Sequence, residues 1–276
     1  MTKLTRLFLY GIFALTSTLC FAQAPQGTIT LPFDRSTPLI DLSGTFEPTN
    51  QVINGIGGQQ VGLSLAFNVI HDATGRLHGN GTTIFSVGSD PATASFFAGT
   101  YVANGRVSGG GSAPIKAFLT VHFTGSGTLS GKPTTFTMVI TYNLVFNPDD
   151  VVLEGTSHGT ASFSGFGRSV IKTPVAVPLP GGSDGTWTAL LDVVPLQKLG
   201  GSGSIVIEPG TISGNRTLQG IINGSFNAGA NISRIHLVGN GVDHGFQAQF
   251  NIGSAADGSV ELETLKGHIL GQTVRR

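Results

Sequence analysis

The stretch Phe136-Thr-Met-Val-Ile-Thr-Tyr-Asn-Leu-Val-Phe146 places a large apolar side chain at every second position. Phe136, Met138, Ile140, Tyr142, Leu144 and Phe146 fall on one side. Thr137, Val139, Thr141, Asn143 and Val145 fall on the other. An extended strand separates alternate residues in this way, so the pattern calls for a sheet with one face in a core. Leu63–Val69 and Ala117–Phe123 alternate likewise, while helical periodicity is nearly absent. Further strands are expected at 81–87, 94–102, 151–155, 160–164, 187–194, 203–208, 217–226, 232–238, 245–252 and 259–264. Asn-Gly pairs at 54–55, 80–81, 104–105, 223–224 and 240–241 and Asp-Gly pairs at 184–185 and 257–258 are read as hairpin turns, because these residues accept positive φ. The expected fold class is all-β, an antiparallel meander forming a barrel or a sandwich.

The chain also echoes itself. Leu63–Ile70, a turn and Arg76-Leu-His-Gly-Asn-Gly form one unit; Trp187–Val194, a turn and Lys198-Leu-Gly-Gly-Ser-Gly form the other. Phe118–Phe123 followed by Gly127-Thr-Leu-Ser-Gly131 is a weaker copy. Two related halves, 47–165 and 187–272, are expected within one β-rich domain over 25–276. The Pro- and Gly-rich segment 172–182 joins them. The spacing is too long for a propeller blade or a solenoid coil.

Lys3 and Arg6 precede an apolar run from Leu7 to Leu19, and Ala22-Gln23-Ala24 follows. This is the layout of a cleaved secretory signal peptide over 1–24. Leu19 before Cys20 argues against lipidation, since a small residue normally precedes a lipidated cysteine. Cleavage would remove the only cysteine, and with it any disulfide or thiolate metal site. Removal of Lys3 and Arg6 from 15 basic residues, against 15 acidic ones, leaves a formal charge of −2. With no basic cluster, nucleic acid is not an expected partner. After residue 24 no apolar stretch approaches the ~20 residues of a membrane helix. Charged residues make up only 11% of the chain, which leaves either a β fold with an uncharged polar surface or an outer-membrane barrel.

Several motifs invite chemical readings. Gly155-Thr-Ser157-His158-Gly159 matches the G-x-S-x-G nucleophile elbow of serine hydrolases, making Ser157 and His158 candidate catalytic residues. An elbow needs a strand running straight into a helix, and Thr-Ala-Ser-Phe-Ser follows instead. With 41 glycines the match arises readily by accident, and a second copy occurs at Gly181–Gly185. The motif is therefore read as a hairpin turn flanked by glycines. Gly125–Lys132 resembles a phosphate-binding loop but has the wrong glycine spacing, and Pro133 takes the place of the required hydroxyl residue.

Asp149 and Asp150 are candidate metal ligands in a turn-forming cluster, although calcium asks for six or more oxygens. The histidines, His71, His78, His122, His158, His236, His244 and His268, show no ligand spacing. No cofactor is indicated. Trp187 and the phenylalanines read as core rather than as a sugar-binding platform.

The leading expectation is a non-catalytic exported protein of the cell envelope or extracellular space. It would be a structural or binding module whose ligand or envelope partner is not identified by the sequence. The alternatives are an integral outer-membrane β-barrel and a secreted hydrolase using Ser157.

Overall fold

A computed structural model describes residues 27–56, 58–88, 90, 92–179, 186–195, 199–207, 216–227, 232–241, 245–255 and 259–276. The expected leader, the Asp-Gly pairs at 184–185 and 257–258 and the second G-x-S-x-G lie outside them. The described residues form strands throughout: β1 (Gly27–Phe33), β2 (Gly44–Phe46), β3 (Val52–Ile56), β4 (Gln59–Ser64), β5 (Phe67–His71), β6 (Arg76–Val87), β7 (Ser95–Gly110), β8 (Ala113–Leu129) and β9 (Lys132–Asn147). Next come β10 (Val152–Phe163), β11 (Gly167–Pro178), β12 (Trp187–Pro195), β13 (Leu199–Ile207), β14 (Arg216–Asn227), β15 (Ile232–Gly241), β16 (Phe246–Ala255), β17 (Val260–Ile269) and β18 (Gln272–Arg275). The protein is all-β, and apart from one short contact every pairing is antiparallel.

Pairings through β3, β4, β6, β7, β8, β9, β10 and β11 return to β3, so these strands close a ring. β4 and β5 are two parts of one bent path, and both lie against β6. β2 covers β5. The alternation seen in the sequence decides which side faces inward. Phe136, Met138, Ile140, Tyr142, Leu144 and Phe146 are all buried, whereas Thr137, Asn143 and Val145 are exposed.

The interior is filled by rings. Phe46 lies 5.3 Å from Phe67, Phe67 lies 5.7 Å from Phe123, and Phe85 meets Phe136 edge-on at 4.6 Å. Such edge and tilted arrangements are preferred by the aromatic quadrupole and add to the hydrophobic gain. One outward rank is wholly polar. Thr82, Thr100, Thr124, Thr137 and Ser162 stand opposite one another across β6 to β10.

A second series runs β1–β12–β13–β14–β15–β16–β17–β18. It has its own core, in which Phe33 stacks on Trp187 at 3.8 Å. Trp187 is buried, as its apolar strand suggests, and its Nε1 donates to the Thr37 carbonyl at 2.7 Å. From β1 in the second series the described chain thus crosses at 34–43 and builds the ring before it returns. Residues 172–178, expected in a joint, belong to β11, which pairs with β10 along its length and closes the ring on β3 through Val170 and Ile171. The two copies of the sequence echo fall on neighbouring antiparallel strands, β4 and β5 beside β6 and β12 beside β13.

The two series meet closely. The Gln272 side chain brackets the Ile40 backbone, with Nε2 donating to the carbonyl at 2.7 Å and Oε1 accepting from the amide at 3.1 Å. Gly110 of β7 sits beside Thr273 of β18 in the single parallel contact. Gly75 faces Gly271, where a Cβ on Gly271 would lie 2.6 Å from the Gly75 Cα.

Asn240-Gly241 ends β15 at its connection to β16, but the other four Asn-Gly pairs do not form the expected hairpin turns. Asn80-Gly81, Asn104-Gly105 and Asn223-Gly224 lie inside strands, and Asn54-Gly55 forms an irregularity within β3. The tight turns are made instead by Ser130-Gly131 and Leu270-Gly271, all with positive φ. An Asn-Gly pair permits a turn without forcing one, and here close approach of the neighbouring strand decides. A Cβ on Gly105 would lie 2.0 Å from the Phe118 carbonyl oxygen. Glycine inside a strand commonly marks such an approach.

The same holds in β10, where a Cβ on Gly159 would lie 1.9 Å from the Val139 carbonyl oxygen. Gly159→Ala is expected to destabilise by about 1–3 kcal/mol, the range for overpacking. His158→Ala, at the exposed position beside it, should stay within about 0.5 kcal/mol of the parent. Urea denaturation midpoints compare the two, and equal midpoints would refute the close-approach account.

Candidate functional site

Strand β10 carries Ser157 to the inside and His158 to the outside. Ser157 is fully buried, and its Oγ is 3.1 Å from Thr173 Oγ1 across β11. Consecutive strand residues point to opposite faces, so Ser157 and His158 do not form a nucleophile–base pair. The G-x-S-x-G stretch is neither an elbow nor the hairpin turn expected from its flanking glycines. It is the middle of a continuous strand, and 151–155 and 160–164 are not separate strands. Gly155 and Gly159 are there because the Asn143 and Val139 carbonyls of β9 leave no room for a side chain.

Asp149 and Asp150 lie in the turn between β9 and β10. The Asp149 amide donates to Asn147 Oδ1 at 3.0 Å, and Asn147 Nδ2 donates to Asp150 Oδ2 at 3.0 Å. The pair is engaged in turn formation. Among the described residues no three His, Cys, Asp or Glu side chains gather as a metal site would require. His244 lies outside the described residues.

Two polar groups missed by the sequence reading are more informative. The first is at the crossover. Asp41 and His71 are both buried, with His71 Nδ1 3.3 Å from Asp41 Oδ1. Ser43 donates from its hydroxyl and its amide to the same carboxylate oxygen at 3.0 Å. The His71 amide donates to Ser43 Oγ at 3.0 Å. Ser43, His71 and Asp41 are triad residue types; the serine hydroxyl donates to the carboxylate and lies 3.5 Å from the His71 carbonyl oxygen. The group ties 41–43 to β5.

The second group lies where the ring wall bends. Between β2 and β3 the chain turns through Glu47-Pro-Thr-Asn-Gln51, with Asn50 at φ +62°. Between β4 and β5 it bends at Leu65-Ala66. These bends leave a cavity of about 790 Å³, open to solvent and flanked by β6 and the start of β7. Gln51 lines it and is only 3% exposed. Its Oε1 accepts from the Tyr142 hydroxyl at 3.3 Å, whereas its Nε2 has no hydrogen-bond partner among the described residues.

Burial pushes Tyr142 well above the ordinary tyrosine value, and the bond to Gln51 pulls the other way. The phenol is thus held neutral, as a donor. Phe96 and Ile84 lie on the outer face at the cavity, 59% and 68% exposed. Phe96 was legible in principle. Phe96 and Phe97 are adjacent in one strand, so alternation sends one of them outward.

No protein-family model matches the chain, and no curated protein or solved structure matches it. Its chemistry is therefore argued from the geometry above.

Ser157→Ala tests the role of the buried serine. It should cost about 1–3 kcal/mol by leaving the buried Thr173 hydroxyl unpaired, and Ser157→Ala/Thr173→Val should recover part of that loss. Thermal melting gives the stability. Hydrolysis of p-nitrophenyl acetate, compared across the same variants, is expected to be indifferent to the substitution. A rate abolished in Ser157→Ala with its melting temperature unchanged would restore the hydrolase.

Proposed function

We propose that the chain is a non-catalytic exported module of the cell envelope or extracellular space, and that it acts by binding. Export rests on the sequence: Lys3 and Arg6, the apolar run to Leu19 and the small-residue site Ala22-Gln23-Ala24. The observation that carries the rest is the direction in which the ring faces. Most of its apolar side chains point inward and are packed against one another, while threonine, serine and asparagine predominate outside, among scattered exposed Ile84, Phe96, Val102, Phe118, Val145 and Val170.

An outer-membrane barrel asks for the reverse, an outward apolar band about as tall as the hydrocarbon layer. Along β8 the outward residues are Lys116, Phe118, Thr120, His122, Thr124 and Ser126, which form no such band. The non-catalytic reading is supported by Ser157 and His158, which sit on opposite faces, and by Asp149 and Asp150, which are occupied with their own turn. What the fold offers to a partner is the open cavity beside Gln51.

Expression with its own leader in a double-membraned bacterial host tests this proposal. The expected product starts at Pro25 and is released by osmotic shock or found in the medium, without detergent. Recovery solely from outer membranes with detergent would overturn the proposal in favour of the inserted barrel. An unprocessed cytoplasmic chain would overturn export.

A further inference from the structure

We infer that the outer wall of the ring across β6, β7, β8 and β9 docks on a membrane surface carrying anionic phospholipid. The inference names a partner for the binding module and rests on that proposal, but it uses a face other than the open cavity. Charge segregation, strand register and exposed apolar area carry it.

The chain as a whole balances 15 basic residues against 15 acidic ones. The wall does not. Strands β6 to β11 hold Arg76, Arg106, Lys116, Lys132, Arg168 and Lys172, with Glu154 as their one acid. Asp72, Asp90, Asp149 and Asp150 sit in the connections between strands instead. Among the described residues none of the six cations makes a salt bridge.

Register gathers three of these cations. Arg76 stands directly opposite Arg106, and Arg106 directly opposite Phe118. Lys116 is two residues from Phe118 on the same face, beside Ser108 and Val145. All three cations are exposed. Like charges directly opposite on neighbouring strands destabilise a sheet. Asp72 lies near Arg76, but its Oδ1 accepts from the Thr74 amide and hydroxyl and from the Arg76 amide, and it forms no salt bridge with the guanidinium. Glu154 is two strands from Lys116, beyond Val145. The opposed arginines therefore call for anions from outside the chain.

The apolar area decides which anions. Phe118 is 45% exposed and Val145 40% exposed, on adjacent strands among the cations. Beyond Val145 an open depression lined by Pro38, Pro114 and Pro148 continues the apolar surface. A charged polymer in water would be held by the cations alone and would gain nothing from Phe118. A bilayer engages both: its phosphates meet the cations while Phe118 and Val145 enter the interface. The stems of Arg and Lys reach from such an apolar footing to polar headgroups. The wall is also the convex outside of a closed ring. It suits a yielding planar surface, whereas small ligands occupy concave sites.

The test is co-sedimentation of the processed protein with vesicles of phosphatidylcholine alone and of equal parts phosphatidylcholine and phosphatidylglycerol. Dextran sulfate serves as the charged polymer without acyl chains. The protein should pellet with the mixed vesicles only. High salt should release it without detergent, which separates docking from insertion. Arg76→Gln and Arg106→Gln should each weaken binding about fivefold, the share of one basic residue at an anionic surface. Phe118→Ala should weaken it about fivefold or more. Arg168→Gln, on β11 at the far side of the ring, should leave it unchanged. All four residues are exposed, so the variants should keep the parent melting temperature.

Equal pelleting with both vesicle types would overturn the requirement for anionic lipid. Binding of dextran sulfate without binding of vesicles would overturn the membrane in favour of a charged polymer. Vesicle binding indifferent to Arg76→Gln, Arg106→Gln and Phe118→Ala, or weakened as much by Arg168→Gln, would overturn this face. Absence of binding by every probe would overturn the inference and leave fractionation to judge the module.

Discussion

Closure of the wall from β3 round to β11 and back is the constraint on which the rest depends. A sheet with an apolar face must cover it, and a sheet with edges must protect them. One ring does both. Inward residues from opposite sides of the ring meet as an aromatic core, with Phe67 in contact with Phe46, Tyr101, Phe123 and Tyr142. Outward residues are then free to be whatever water accepts. This is how a chain with 11% charged residues can present a polar surface. The polarity is carried by short uncharged groups in register, such as Thr120 bonded to Thr141 at 3.1 Å.

Glycine is the second half of the same constraint. Strands that wrap a narrow core must bend, and bending brings a neighbouring carbonyl toward the inner or outer Cα positions. Gly99 stands opposite Gly125, and a Cβ on either would lie 2.2 Å from a carbonyl oxygen of the other strand. At Gly81 the relief takes another form. The Tyr101 ring lies over the bare Cα, within 3.2 Å of where a Cβ would be, and its hydroxyl exchanges hydrogen bonds with the Asn68 backbone at 3.0 Å. An aromatic neighbour covers the gap that glycine leaves in a strand, as designed sheets also require.

Much of this was legible in the sequence because period two is a one-dimensional signal. The facing of β8 and β9 follows from adjacent residues alone. What was not legible depends on meetings between distant segments. Nothing near Ser157 shows that Thr173 will sit beside it, or that Val139 will crowd Gly159. The turn reading of Asn-Gly failed for the same reason: local permission was outweighed by the continuous apolar pattern on either side. The candidate site was the least visible part. Gln51 follows an Asn in a short polar stretch, and only the bends at 47–51 and 65–66 turn it into a cavity wall. Asp41 and His71, thirty residues apart in the chain, reveal their relation only once β2 lies on β5.

The polar residues inside the ring raise a last question, since a dry core would be simpler without them. They are not scattered. Ser157 stands opposite Tyr142 on β9 and Thr173 on β11, and Tyr142 reaches Gln51. The hydroxyls of Ser157 and Thr173 satisfy each other, and Tyr142 is satisfied by Gln51, so most of the row causes little loss. Among the described residues of the ring, Gln51 Nε2 and Ser169 Oγ are the buried polar atoms left without a hydrogen bond. A row whose members pair across β9, β10 and β11 and reach the Glu47–Gln51 bend fixes the register of those strands and ties the bend to the ring wall.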